Sequence, residues 1–173
     1  ALFMDVKGAF DHVSTQQLIN TMRQLRLPEV VVKWVKCFTK DRKLGLAFDG
    51  HHEPLQSIET GIPQGSPASP ILFLIYLRLL FRRLKREMPH LKTPSYVDDV
   101  AILVEGKTPE ANCKELEKAV KIAYEWAQEN AVAFDPAKTE LIHFNKRRQI
   151  PDAGLILPDQ NIVEPTETVK WLG

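Results

Sequence analysis

Tyr96-Val97-Asp98-Asp99 runs directly into Val100-Ala101-Ile102-Leu103-Val104, and this stretch decides how the chain is read. The apolar, partly β-branched residues after the acids read as a buried strand. The acids mark a tight turn, so the strands on either side must pair antiparallel. That pairing favours an α+β plan over a doubly wound parallel sheet. Adjacent carboxylates also raise each other's pKa, so the turn calls for a compensating cation or open water. A divalent ion such as Mg²⁺ takes carboxylate oxygens readily. A solvated Asp-Asp turn is the alternative, because Asp is a common turn residue.

Upstream, Ala1 to Val6 reads as another buried strand, carrying Asp5 near its end and followed six residues later by Asp11. A carboxylate after three apolar residues is costly to bury alone and points to a partner or a metal; an exposed strand-end acid is the alternative. If the two strands are sheet neighbours, Asp5, Asp98 and Asp99 share one edge and form a site for two divalent ions.

Helices fill the intervals. Ser14 is a candidate N-cap for a helix carrying Leu18, Ile19, Met22 and Leu25, and Pro28 to Thr39 fits a second. Leu44 to Phe48 and Leu55 to Thr60 flank the turn dipeptide Asp49-Gly50 and predict a hairpin. Pro70 to Met88 reads as a core helix; its apolar run is too short for a membrane span, with Arg78 at its centre. Thr108-Pro109-Glu110 opens a long helix with cap, first-turn proline and an acid near the positive dipole end. Its expected core stripe is Leu116, Ala119, Val120, Ala123, Trp126 and Ala127. Strands are expected at Leu141 to Phe144 and from Val169 onward. The polar stretch Asn145 to Pro165 is the nearest thing to a linker.

Composition sets outer limits. The chain has 173 residues, 44% hydrophobic and 26% charged, with a net charge of +1. That is a globular domain with no global basic signature, so any nucleic-acid surface must be local. Cys37 and Cys113 offer no metal-ligand spacing and suit a reducing compartment. No secretory signal is visible. Both ends look cut, which predicts a piece of a longer protein.

Gly61-Ile62-Pro63-Gln64-Gly65-Ser66-Pro67-Ala68-Ser69-Pro70 combines close-approach glycines with stiffening prolines, and Gln64 offers a donor and an acceptor beside that backbone. A rigid lead into the core helix would need the same residues. Arg78, Arg82 and Arg86, with Lys85, make one helical face basic; a phosphate backbone would fit it, but a solvated face is the simpler reading. Lys146-Arg147-Arg148 is similar. Gly106-Lys107-Thr108 is no P-loop, because residue 101 is Ala where a glycine is required.

Taken together, Asp5 through Asp11, Gly61 through Pro70 and Tyr96 through Asp99 resemble the palm motifs of reverse transcriptases, in the family's order. Ala133 through Phe144 resembles the next motif, and Val169-Lys170-Trp171-Leu172-Gly173 the start of the primer-grip hairpin. The nearest kin suggested are non-LTR (LINE-type) retrotransposon enzymes, with a fungal lineage as one source. The resemblance implies a ferredoxin-like βαββαβ antiparallel sheet backed by helices, with the palm over 1–144 and a connection into the primer grip over 145–173. It implies that Asp5, Asp98 and Asp99, with the main-chain carbonyl of Val6, hold two Mg²⁺ ions, or Mn²⁺. Phe10 matches the bulky residue under the incoming sugar, although an ordinary core Phe reads the same way. Gln64 and Gly65 match residues near the incoming nucleotide and template. Lys138 matches a lysine that approaches the triphosphate. Trp171, Leu172 and Gly173 match the primer-positioning segment.

The implied activity is RNA-directed DNA synthesis on a primer 3′ end. Its partners would be an RNA or DNA template, primer and dNTPs, with no membrane. Fingers, thumb and endonuclease regions would lie elsewhere in the parent protein, so the piece alone is expected to be inactive. Such an element implies an intracellular, nuclear place of action. Two rivals share the motifs: the palm of a viral RNA-dependent RNA polymerase, and a decayed copy that only binds nucleic acid.

Overall fold

The computed structural model describes residues 1–145 and 151–171. In chain order the elements are β1 (Leu2–Lys7), α1 (Thr15–Gln24), α2 (Glu29–Thr39), β2 (Arg42–Leu44), β3 (Ala47–Phe48), β4 (His51–His52), β5 (Gln56–Ile58), α3 (Ser69–Glu87), β6 (Ser95–Tyr96), β7 (Asp99–Ile102), α4 (Pro109–Glu129), β8 (Ala133–Phe134), β9 (Glu140–Leu141), β10 (Leu155–Ile156) and β11 (Ile162–Val163). Contacts divide the chain into two units: Ala1–Ala9 with Leu77–Gly173, and Phe10–Tyr76.

The first unit is built on an antiparallel sheet in the order β6-β7-β1-β8, with β9 also pairing with β1. With the second unit's elements set aside, β1-α3-β6-β7-α4-β8 is the expected βαββαβ run. In β1 the alternation buries Leu2, Met4 and Val6 and leaves Phe3 and Asp5 half-buried on the other face. The buried face needs helical cover. α4 lies against β8 and β10, and its stripe of Cys113, Leu116, Ala119, Val120, Ala123, Trp126 and Ala127 is buried as its spacing requires. Thr108 caps α4 by accepting from the Ala111 N–H at 3.2 Å, a structural role for the residue that ends the P-loop look-alike. The last two turns of α3 contribute Leu80 and Leu84 to the core. Arg83 ties α3 to α4, reaching Glu125 at 2.7 Å and Glu129 at 3.2 Å as well as Glu87 on its own helix.

In the second unit, Ser14 caps α1 by accepting from the Gln17 N–H, and α1 packs on α2. The expected hairpin is two short ladders, β2 with β5 and β3 with β4. Asp49 and Gly50 turn it with φ of 47° and 77°, the signs of a type I′ turn.

Three expectations change. The strand expected through Phe144 ends at Leu141, and Phe144 is 74% exposed; β9 stops once its pairing with Leu2 and Phe3 runs out. No strand forms over Val169 to Trp171; the chain before it meets β9, where the Thr166 N–H donates to the Leu141 carbonyl at 2.8 Å. The polar stretch after Asn145 contains the β10–β11 hairpin, closed at Leu157 by the Asn161 carbonyl at 2.8 Å. The Lys146-Arg147-Arg148 run, Leu172 and Gly173 lie outside the described residues. Cys37 and Cys113 are both free. Among the described residues no helix is long and apolar enough to cross a membrane.

Candidate active site

The site follows from the register of β1. Leu2, Phe3, Met4 and Asp5 pair with Ile102, Ala101, Val100 and Asp99. Asp5 therefore faces Asp99 directly across the ladder, and cross-strand partners share a sheet face. Asp98 precedes Asp99 in the hairpin loop, and its carbonyl accepts from the Val6 N–H at 3.3 Å. The loop holds only Val97 and Asp98, between the closing pair Tyr96 and Asp99. Val97 has φ of 53°, a left-handed conformation that a β-branched residue adopts only under strain. The strand pairing on either side holds that strained turn in place.

The other edge of β1 brings in a cation. β8 pairs with Val6 and Lys7, and β9 pairs with Leu2 and Phe3. The residues between, Asp135 to Thr139, must bulge out opposite Met4 and Asp5. Asp135 organises the bulge: its N–H donates to the Asp5 carbonyl at 3.0 Å and its side chain accepts from the Ala137 N–H at 3.0 Å. With Pro136 in first position, this makes a short 3₁₀ turn, Pro136–Lys138. The turn delivers the Lys138 ammonium to the Asp5 carboxylate at 3.0 Å.

The electrostatics are those of crowded acids. Burial pushes the Asp99 carboxyl above the ordinary range, and the charges of Asp98 and Asp5 add to the rise while Lys138 opposes it. Lys138 is raised in turn, by its hydrogen bond to Asp5 and then by the Asp5 charge. A cleft of about 380 Å³ opens here, lined by Asp5, Asp99, Lys138, Glu140, Lys170 and Trp171 among others. Trp171 packs against Phe3 with ring centroids 5.4 Å apart, and its buried indole N–H has no acceptor among the described residues. Among the described residues, no three carboxylate, imidazole or thiolate side chains close around one point as an ion cage would. The acids instead lie together where the β6–β7 turn meets the β1–β7 ladder, with Lys138 on Asp5. Their hard oxygen donors and excess negative charge suit divalent cations better than any softer metal.

Asp5, Val6, Asp98, Asp99, Lys138 and Trp171 thus all belong to the first unit. Phe10, Gln64 and Gly65 belong to the second. There Phe10 packs on Phe73, with ring centroids 5.7 Å apart. Gln64 donates through Nε2 to both carboxylate oxygens of Asp11, at 2.9 and 3.1 Å. Gly61 is pinned against the preceding segment: its N–H donates to the Val13 carbonyl at 2.8 Å, and the Ile62 N–H to the Phe10 carbonyl at 2.7 Å. A Cβ on Gly61 would sit 2.7 Å from the Asp11 carbonyl oxygen. Gly65 has open space around it and φ of 81°, so there glycine answers to the backbone conformation alone.

Sequence reasoning missed Asp11 as the partner of Gln64, and Glu140 and Lys170 as walls of the cleft. Asp11 closes the same motif as Asp5, which was the available signal. Glu140 and Lys170 lie within the motifs at Ala133–Phe144 and Val169–Gly173, but their place on the cleft wall depends on pairing and chain return.

A profile of the family described as "Reverse transcriptase (RNA-dependent DNA polymerase)" matches residues 1–173. The RNA-directed DNA polymerase from mobile element jockey of Drosophila melanogaster is 25% identical over 99% of this chain and 19% of its own length. The Pol polyprotein of the type-1 retrotransposable element R2 from Popillia japonica is 30% identical over half of this chain and 14% of its own length. The chain thus spans about a fifth of the jockey protein. Among solved structures, a telomerase from Candida tropicalis superposes with a TM-score of 0.63 at 12% identity, covering 94% of this chain and 35% of that one. A telomerase from Candida albicans, solved with a fragment of telomeric RNA, gives 0.62 at 12% identity over 98% of this chain and 32% of that one. At such identity the likeness shows the fold alone. A fungal lineage is not shown by these relatives. The palm-type fold, the ordered motifs and the match along the whole chain make one conclusion: the chain belongs to the reverse transcriptase family, as a domain of the kind found in non-LTR retrotransposon polymerases.

Proposed function

We propose that this chain is the catalytic palm of an RNA-directed DNA polymerase, which adds deoxynucleotides to a primer 3′ end on an RNA template and releases pyrophosphate. The observation that carries the reading is the Asp5–Asp99 pairing beside Asp98, where Lys138 is the cation that ion-pairs with an acid among the described residues. Asp5, Asp98 and Asp99, with the Val6 carbonyl, are the residues that would hold two divalent ions. Such ions lower the pKa of an attacking hydroxyl and neutralise a leaving pyrophosphate.

The remaining roles fall to the chain itself. Asp99 would bind a cation as the carboxylate, and its raised pKa moves the acid limit of that binding upward in pH. Lys138, 63% exposed, is free to swing from Asp5 towards a triphosphate and stabilise or protonate the leaving group. The unpartnered Trp171 N–H offers a donor in the same cleft, in keeping with a primer-positioning role; Leu172 and Gly173 carry that role only by resemblance. Phe10 would exclude a ribose 2′-hydroxyl, and the Gln64–Asp11 pair would present a fixed amide to the nucleotide or template. Fingers, thumb and endonuclease segments would come from the parent protein, and a nuclear site of action follows for such an element.

The test is primer extension on an RNA template by a polypeptide carrying this chain in its full coding context, beside its Asp98→Asn variant. Extension by the parent and loss of at least about a hundredfold in the variant is the expected result, in line with the weight of electrostatic stabilisation at such centres. Equal extension by both removes the acids from catalysis. No extension by either favours a copy that only binds nucleic acid. Phe10→Val is expected to admit ribonucleotides; unchanged sugar selectivity leaves Phe10 as a packing residue.

A further inference from the structure

The same helix that ties its Arg83 to three glutamates leaves other cations unpaired. Arg78, Arg82 and Lys85 of α3 are exposed, and none has a carboxylate partner among the described residues. A cavity of about 440 Å³ lies along this stripe, walled by Arg78, Phe81, Lys85, Met88, Pro89 and Thr93 among others. Arg78 and Lys85 stand seven residues apart, about 10 Å along the helix axis. Phe81 falls between them on the same face, at i+3 from Arg78 and i−4 from Lys85. Its ring stacks on no other aromatic among the described residues. The cavity is separate from the carboxylate cleft, with which it shares no lining residue.

Two cations flanking a half-buried aromatic ring on a cavity wall are the elements of a single-strand nucleic-acid platform, in which phosphates meet the charges and a base stacks on the ring. A solvated basic face would need neither the cavity nor the ring. An acidic peptide would use the cations but not the flat apolar wall. We infer that this cavity is a second nucleic-acid site, which seats a single-stranded RNA segment with phosphates on Arg78 and Lys85 and a base against Phe81. RNA is the source, because the reaction proposed above copies RNA. The inference rests on that reading only for the choice of RNA.

The test is fluorescence anisotropy with a labelled single-stranded RNA of mixed sequence. It is run on the 173-residue chain in EDTA, so that cation binding at the carboxylates plays no part, and over a range of salt. Arg78→Gln with Lys85→Gln is expected to weaken binding and to flatten the log K against log[salt] slope by about 1.4, the value for two single-strand phosphates. Phe81→Leu is expected to weaken binding at least about fivefold with the slope unchanged, as for one lost stacking contact. Lys114→Gln with Lys121→Gln, exposed on α4, is the control and is expected to change neither. An equal loss in the control pair, or an unchanged slope in the Arg78/Lys85 pair, overturns the site. Unchanged affinity in Phe81→Leu, or duplex RNA bound as tightly as single strand, overturns the stacking. Tighter binding of single-stranded DNA than RNA overturns the choice of RNA. Because binding is read without primer extension, a catalytically dead chain that still binds here leaves this inference standing while the catalytic reading falls.

Discussion

Replacing Asp99 by Asn should make the protein more stable while removing its proposed activity. Asp99 faces Asp5 across the ladder and follows Asp98; burial first, and then the charges of Asp98 and Asp5, push its carboxyl above the ordinary range. A like charge placed directly opposite in a sheet destabilises by an amount comparable to the roughly 0.2–1 kcal/mol of a favourable cross-strand pair. With Asp5 opposite, Asp98 adjacent and Lys138 offsetting part of the repulsion, Asp99→Asn should gain roughly 0.5–1 kcal/mol. For a domain of this size that is about 1–4 °C in Tm. The pH dependence gives the sign. A raised carboxylate binds more protons in the native than in the unfolded state between its ordinary and its raised pKa. Stability therefore falls as pH rises through that window and stays lower above it. The variant escapes this fall, so its advantage should be small below the ordinary carboxylate pKa and complete at neutral pH. Thermal unfolding in EDTA, followed by circular dichroism at pH 3 and pH 7, measures both numbers. Adding Mg²⁺ at neutral pH should then raise the wild-type Tm by mass action and the variant's by less. A lower Tm for Asp99→Asn at pH 7, or the same gain at both pH values, would refute the like-charge argument.

Three further outcomes follow from the geometry. Lys138→Gln removes the one charge that lowers the Asp99 pKa, so the Asp99 carboxyl should titrate at still higher pH; carbon-detected NMR of the side chain reads the shift directly. Gly61→Ala puts a Cβ against the Asp11 and Phe10 carbonyls at φ of 81° and should destabilise by at least about 1–2 kcal/mol from backbone strain alone; Gly65→Ala, with the same φ but open space, should cost less, and urea titration compares them. Arg83→Ala breaks the tie from α3 to Glu125 and Glu129 and should lower stability by roughly 1 kcal/mol as the loss of a charge network. Its deficit should shrink in high salt, because screening weakens the wild-type network as well.

The strain at Val97 and the repulsion at Asp99 occupy neighbouring positions of one hairpin. Each opposes folding locally, and each is held by the β1 ladder, whose buried face of Leu2, Met4 and Val6 supplies the apolar burial. This is the usual arrangement for a functional edge: a rigid scaffold sustains a turn that would not form by itself.

Local features of the sequence sufficed wherever the controlling interaction is short in range. The Ser14 and Thr108 caps, the stripes of α1, α3 and α4, the Asp49-Gly50 turn and the tight hairpin at Val97-Asp98 each depend on residues within a few positions of one another. The two adjacent acids before an apolar strand were legible as a candidate site for the same reason, with a solvated turn as the alternative. Tertiary structure decided the rest. That Asp5 meets Asp99 and not a residue beside it is a matter of register across more than ninety residues, set by which faces of β1 and β7 are buried together. That Lys138 reaches Asp5 follows from β8 and β9 dividing one edge of β1, which forces Asp135 to Thr139 outward. An apolar pattern alone did not make strands of Ile142 to Phe144 or of Val169 to Trp171. A strand needs a free row of backbone partners as well as a suitable pattern, and only the folded sheet shows which rows are free.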